Sequence, residues 1–160
     1  MATHDGEIER RLAELGVELD ETPLDNGRFL RAQRAGDLVY TSGSVSSRGD
    51  AIYKGRIGRD LSIEDGRAAA RVSAIRCLEG IRALIGDLDN VVQIIKLVGI
   101  VNGDEDFSAP HEVVHGATDF LVEVFGPRGQ HARTTFVGRP PSNHAVEIEL
   151  VVQVKGETEA

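Results

Sequence analysis

The segment that most limits what this chain can fold into lies near its end. From Ala145 to Val154, the residues Val146, Ile148, Leu150, Val152 and Val154 alternate with Ala145, Glu147, Glu149, Val151 and Gln153. A period of two belongs to a strand, and an all-apolar first set requires that one face be covered, here by helices. The second face mixes two carboxylates with Val151 and Ala145, which suits a subunit interface better than open water.

The rest of the pattern supplies what covers that strand. Residues 5–16 read as a short amphipathic helix, with Ile8, Leu12 and Leu15 at helical spacing and Gly16 as a stop. Phe29 to Ala35 and Leu38 to Ser42 read as a hairpin turning at Gly36-Asp37, and Ser46 to Gly55 as a polar loop containing Arg48-Gly49-Asp50. Ser62, with Asp65 three residues on, caps a long helix to about Leu84 whose inward stripe is Ala68, Val72, Ile75, Ile81 and Leu84. Val91 to Val101 is a buried strand. A second helix opens at Ser108-Ala-Pro110 and turns Val113, Ala117, Phe120, Leu121 and Val124 inward before Gly126-Pro127. Ala132–Val137 and Ala145–Val154 read as a closing hairpin, which aims Arg133 into the same cleft as Glu147 and Glu149. The expected architecture is α+β, one domain over 1–160, with a sheet carrying both long helices on one face.

Composition narrows the function classes. The 160 residues suffice for one core, and aromatics are 4% with no Trp, so Val, Ile, Leu and Ala must fill it. A net charge of −8 with scattered arginines disfavours nucleic-acid binding. A single cysteine, Cys77, excludes an internal disulfide and reads as a small core residue. No apolar run is long enough to span a membrane and the first residues lack a signal-peptide pattern, so the expectation is a cytoplasmic protein.

Two constellations carry chemistry. His111-Glu-Val-Val-His115 is a literal H-E-x-x-H, which on a helix sets two imidazoles on one face; a zinc hydrolase would need a third ligand, and His131 is the downstream candidate. Arg133 facing Glu147 and Glu149 reads, on the residues alone, as a cross-strand ion pair with one of them.

Tyr40-Thr-Ser-Gly43, Asp106-Phe107, His131-Ala-Arg133-Thr and Val146-Glu-Ile-Glu149 together resemble the RidA/YjgF family of imine deaminases over roughly residues 20–154. The helix within residues 1–18 resembles a longer subgroup of that family. The resemblance implies a chorismate-mutase-like fold and a homotrimer with three sites between subunits. It implies hydrolysis of enamines and imines such as 2-aminoacrylate and 2-iminopropionate to a 2-keto acid and ammonia, with no metal or cofactor. Carried onto this sequence, Arg133 matches the arginine that grips the substrate carboxylate and Glu147 the carboxylate that handles the water. Ser42 and Gly43 match the strand end lining the pocket. Phe29 stands where many deaminating members have Tyr, His115 where Asn is usual and Thr135 where Cys is common; the loop before Glu147 is one residue shorter. A trimeric carboxylate-binding protein without turnover is the alternative within the same fold.

Overall fold

The computed structural model describes residues 6–157; the expected helix start at Asp5 and the ends of the expected single domain lie outside them. Helix α1, Glu7–Glu14, buries Ile8 and Leu12, and the Asp89 carboxylate accepts the free backbone N–H groups of Glu7 and Ile8, each at 2.9 Å. Strands β1 (Ala32–Ala35) and β2 (Leu38–Thr41) form the expected hairpin. β1 begins three residues later than expected, because the Asn26 side chain accepts the N–H groups of Arg28 and Phe29 and turns the chain there.

The chain then adds β3 (Ser44–Val45) and a small hairpin, β4 (Ser47–Arg48) with β5 (Ala51–Ile52), where a plain loop was expected. Arg48 of the Arg-Gly-Asp triplet points to a buried Glu79 carboxylate at 2.7 Å, so it is a structural partner rather than a displayed motif. Helix α2, Ile63–Ile85, starts on the reciprocal Ser62–Asp65 capping box and ends at Gly86, whose φ of 83° suits glycine. Strand β6 (Val91–Val101), helix α3 (Pro110–Phe125), strand β7 (Ala132–Val137) and strand β8 (Val146–Val154) complete the order.

The sheet runs β1-β2-β8-β6-β7, with β3 continuing beside β8 beyond the end of β2. The β6–β7 pair is parallel and the other pairs are antiparallel, so the sheet is mixed and the fold is α+β as expected. The closing hairpin does not exist. β8 inserts between β2 and β6, while β7 lies at the far edge as the second strand of a β6-α3-β7 unit. Burial gives the reason. β8 is the strand whose apolar set is buried throughout, and it takes the centre, whereas β7 is half exposed along its length and takes the rim.

Both long helices lie on the face that receives Ile148, Leu150 and Val152. Val113, Ala117, Phe120, Leu121 and Val124 of α3 are buried as expected. The buried side of α2 is broader than the expected stripe. It runs through Ala69, Ala70, Ser73, Ala74, Cys77, Leu78 and Ile81, leaving Ala68, Val72 and Leu84 only partly covered. Small residues dominate because α3 comes close: a Cβ on Gly116 would overlap the Arg67 backbone. The 17–22 segment covers the remaining side, and the buried Arg82 guanidinium donates to the carbonyls of Leu19 and Asp20 and pairs with Glu9 at 3.0 Å. Among the described residues no helix is long and apolar enough to cross a membrane.

Candidate active site

The residues singled out from sequence fall into two groups that one chain keeps apart. The first surrounds Glu147. In β8 this residue pairs with Ile100 of β6 on one side and Val45 of β3 on the other, so it projects from the face without helices. Its carboxylate lies against Gly43, in the break between β2 and β3; a Cβ there would overlap Oε1. Glycine is needed at 43 for that approach. Ser42 is fixed just before it, its hydroxyl donating to the Leu30 carbonyl at 2.6 Å. Partial burial raises the Glu147 carboxyl above its ordinary value, the neighbouring Glu149 adds to the rise, and His144 opposes it.

A cavity of about 330 Å³ opens here, lined by Phe29, Arg31, Ser42, Gly43, Arg76 and Glu147 among others. Phe29 is 55% exposed and contributes a ring without a hydroxyl. A second hollow of about 310 Å³ shares Gly43 and Glu147 and continues over Val98, Ile100 and Phe136 along the open face.

The second group surrounds Arg133. Its register partner in β6 is Leu97, a core residue, so Arg133 projects to the helix side of the sheet. Its Nη1 donates to His115 Nδ1 at 2.9 Å and to Thr118 Oγ1 at 3.1 Å, both on α3. Thr118 in turn lies 3.1 Å from His131 Nε2, and His131 Nδ1 lies 2.6 Å from the Gly129 carbonyl. That carbonyl can only accept, so the His131 proton sits on Nδ1, Nε2 accepts from Thr118, and Thr118 accepts from Arg133. Burial lowers the His131 pKa, the Gly129 carbonyl opposes the shift, and the Arg133 charge adds to it. Thr135 shares the Arg133 face, opposite Gly99.

Arg133 and Glu147 therefore do not share a cleft within the chain. They stand on opposite faces, two strand spacings apart, about 10 Å across the sheet before the offset along the strands is counted. The expected cross-strand pair fails for the same reason, since β7 and β8 are not neighbours. The zinc arrangement is not formed either. Among the described residues no three His, Cys, Asp or Glu side chains come together as ligands. His111 and His115 meet as edge-to-face rings 6.2 Å apart, while His115 Nδ1 and His131 Nε2 are engaged with Arg133 and Thr118.

Thr118, Arg31 and Arg76 went unread in the sequence. Thr118 had a signal: it lies three residues after His115, hence on the same helical face. The two arginines had none, because only the tertiary fold brings the start of β1 and the middle of α2 to the same cavity.

Comparison with known proteins agrees with this architecture. A family described as "YjgF/chorismate mutase-like, putative endoribonuclease" matches residues 9–151. Protein TCP17 of Trypanosoma cruzi is 30% identical over 152 residues, covering 93% of this chain and 95% of that protein. A crystal structure of a protein of unknown function from Agrobacterium tumefaciens superposes with a TM-score of 0.86 at 32% identity, covering 93% of each chain. A putative endoribonuclease from Shewanella oneidensis MR-1 gives 0.85 at 28% identity, covering 92% of this chain and 99% of that one.

Proposed function

The chain belongs to the YjgF/chorismate mutase-like family, and from that premise we propose that it hydrolyses small 2-imino carboxylates, and the enamines that tautomerise to them, at sites shared between copies of a homotrimer. Arg133 of one copy holds the substrate carboxylate, and Glu147 of another handles the water. Water adds its oxygen to the imine carbon, its protons pass to nitrogen, and the C–N bond breaks to leave a 2-keto acid and ammonia. No cofactor is required for that balance.

The observation that carries the reading is the division of the site itself. Arg133 is held by His115 and Thr118 on one side of the sheet, and Glu147 stands over Gly43 on the other. Each half is built and neither is complete, which a second copy can correct. The open face offers the surface for it, with Phe136 and Tyr40 exposed and Val98 and Ile100 partly buried around the glutamates. A guanidinium with fork geometry suits a planar carboxylate, and a carboxyl raised above its ordinary value suits proton transfer nearer neutral pH. The net charge of −8 gives no footing for the ribonuclease label carried by relatives.

The test combines light scattering with ammonia release from freshly generated 2-iminopropionate. The reading requires about three times the 17.3 kDa chain mass and measurable turnover. A clean monomer at micromolar concentration rejects the shared site. A trimer that binds 2-keto acids and releases no ammonia leaves a binding protein, a role the hydroxyl-free ring of Phe29 would fit.

A further inference from the structure

The cavity beside Glu147 carries more positive charge than a substrate with one carboxylate would use. Arg31 and Arg76 both line it, one from the residue before β1 and the other from α2. The helix brings them together. Gly80, one turn beyond Arg76, lies under Arg31, where an added Cβ would meet Arg31 Cβ at 3.2 Å and its carbonyl oxygen at 3.3 Å. Arg31 Nε donates to the Pro23 carbonyl at 3.0 Å, and Arg76 Nη1 donates to the Val45 carbonyl at 3.4 Å. Those bonds aim the two guanidiniums and leave most of their N–H groups unspent.

Among the described residues neither arginine has an acidic ion-pair partner. The ion pairs there engage Arg34, Arg48, Arg56, Arg59, Arg67 and Arg82 instead. The charged groups that act on Glu147 are Glu149 and His144. Two cations lining one hollow favour an anion placed between them. The arginine fork matches a carboxylate through paired hydrogen bonds. Under the reading given above, the carboxylate next to the imine carbon is already taken by Arg133.

We propose that Arg31 and Arg76 form a second carboxylate subsite, so that the preferred substrate is an imino acid whose side chain ends in a carboxylate. This proposal rests on the deaminase reading for the word substrate, and on the cavity alone for the binding preference. Arg133 holds the carboxylate beside the reacting carbon, Glu147 acts at that carbon, and Arg31 with Arg76 receive the remote one. Hydrolysis is balanced as before, with one water consumed and one ammonia released.

The experiment is calorimetric titration of the full chain with 2-oxoglutarate and with 2-oxobutyrate, repeated on Arg31→Gln and Arg76→Gln, with the mass of each protein recorded. The expected result is that 2-oxoglutarate binds about tenfold or more tightly than 2-oxobutyrate in the wild type. In either variant that ratio falls towards one at unchanged mass. Equal affinities in the wild type overturn the proposal. So does a variant that weakens both acids alike, which would make the arginines holders of the first carboxylate. A drop in mass overturns it as well, because the arginines would then pair across the subunit boundary. Ammonia release separates the two ideas. An arginine-dependent preference without turnover on either imino acid keeps the subsite and rejects the deaminase. Turnover without the preference does the reverse.

Discussion

Arg133 and His115 are joined at 2.9 Å, with the guanidinium Nη1 donating to the ring Nδ1. The acceptor nitrogen cannot also carry a proton, so the ring proton of His115 sits on Nε2. Together with Thr118 at 3.1 Å, the ring fixes one edge of the guanidinium from the helix side and leaves other N–H groups free. If Arg133 holds a carboxylate as proposed, its guanidinium is pre-oriented before the ligand arrives, which lowers the ordering cost of binding.

Replacing Arg133 should therefore act on affinity. In Arg133→Ala, KM should rise by about 10²-fold or more, the worth of two charge-assisted hydrogen bonds. Arg133→Lys should recover little, because a point charge cannot keep His115, Thr118 and a carboxylate together. Steady-state kinetics beside titration with 2-oxobutyrate is the check; a lysine variant with wild-type affinity would sink the clamp.

Glu147→Gln should lower kcat by about 10²–10⁴-fold with ligand binding nearly intact. Its stability effect has a definite sign. Burial and Glu149 raise the folded carboxyl above 4.5, so its contribution is fully present below that pH and is lost as pH rises through the folded value. Removing the charge should thus make the chain no less stable at pH 7 and flatten part of its stability profile above pH 4.5. Denaturant midpoints from acid to neutral pH test this. A glutamine variant that unfolds or dissociates at neutral pH would make the carboxylate a structural partner.

Gly43→Ala should imitate the loss of Glu147 without unfolding the protein. The added methyl would overlap the carboxylate end of a flexible side chain, so Glu147 swings away at little cost to the backbone. We expect stability within about 1 kcal/mol of wild type and a kcat as poor as that of Glu147→Gln. Wild-type turnover in this variant would mean that the position of the carboxylate over residue 43 is immaterial.

His131 supplies a pH dependence from the other half. Its folded pKa lies below 6.5 through burial and the nearby Arg133 charge, so the unfolded chain binds the proton more readily. The contribution is present above about pH 6.5 and is lost as pH falls through the folded value. Urea midpoints should drop as the pH is taken from neutral to well below that value, and His131→Gln should remove part of that drop. Identical profiles for the two proteins would contradict the assignment.

How much could be read in advance varied with the kind of signal. The Ser62 capping box, the Pro110 start of α3 and the β8 alternation are local patterns, and each appears where the residues put it. Pairing is not local. Nothing in residues 132–154 states that β8 will slip between β2 and β6, so adjacency in sequence suggested a hairpin and placed Arg133 on the wrong face. The α2 stripe was misjudged for a related reason. Helical periodicity finds one buried face, while α2 meets the sheet, α3 and the 17–22 segment at once. Likewise Arg76 and Glu147 are far apart in the chain, on a helix and a strand with three other elements between them, and only the folded cavity brings them together.

The β6-α3-β7 unit confines His115, Thr118 and Arg133 to one contiguous stretch, and Glu147 comes after that stretch has ended. If the sites are shared between copies of a trimer as proposed, two defective alleles can repair each other. A chain carrying Arg133→Ala still brings a sound Glu147, and one carrying Glu147→Gln still brings a sound Arg133. When the two are refolded together into closed trimers, every mixed ring contains one boundary where both sound halves meet. At substrate below the wild-type KM, equal mixing should restore about a quarter of the wild-type activity from two parents that each retain about a hundredth or less, since closed cyclic symmetry gives each chain one partner on either side.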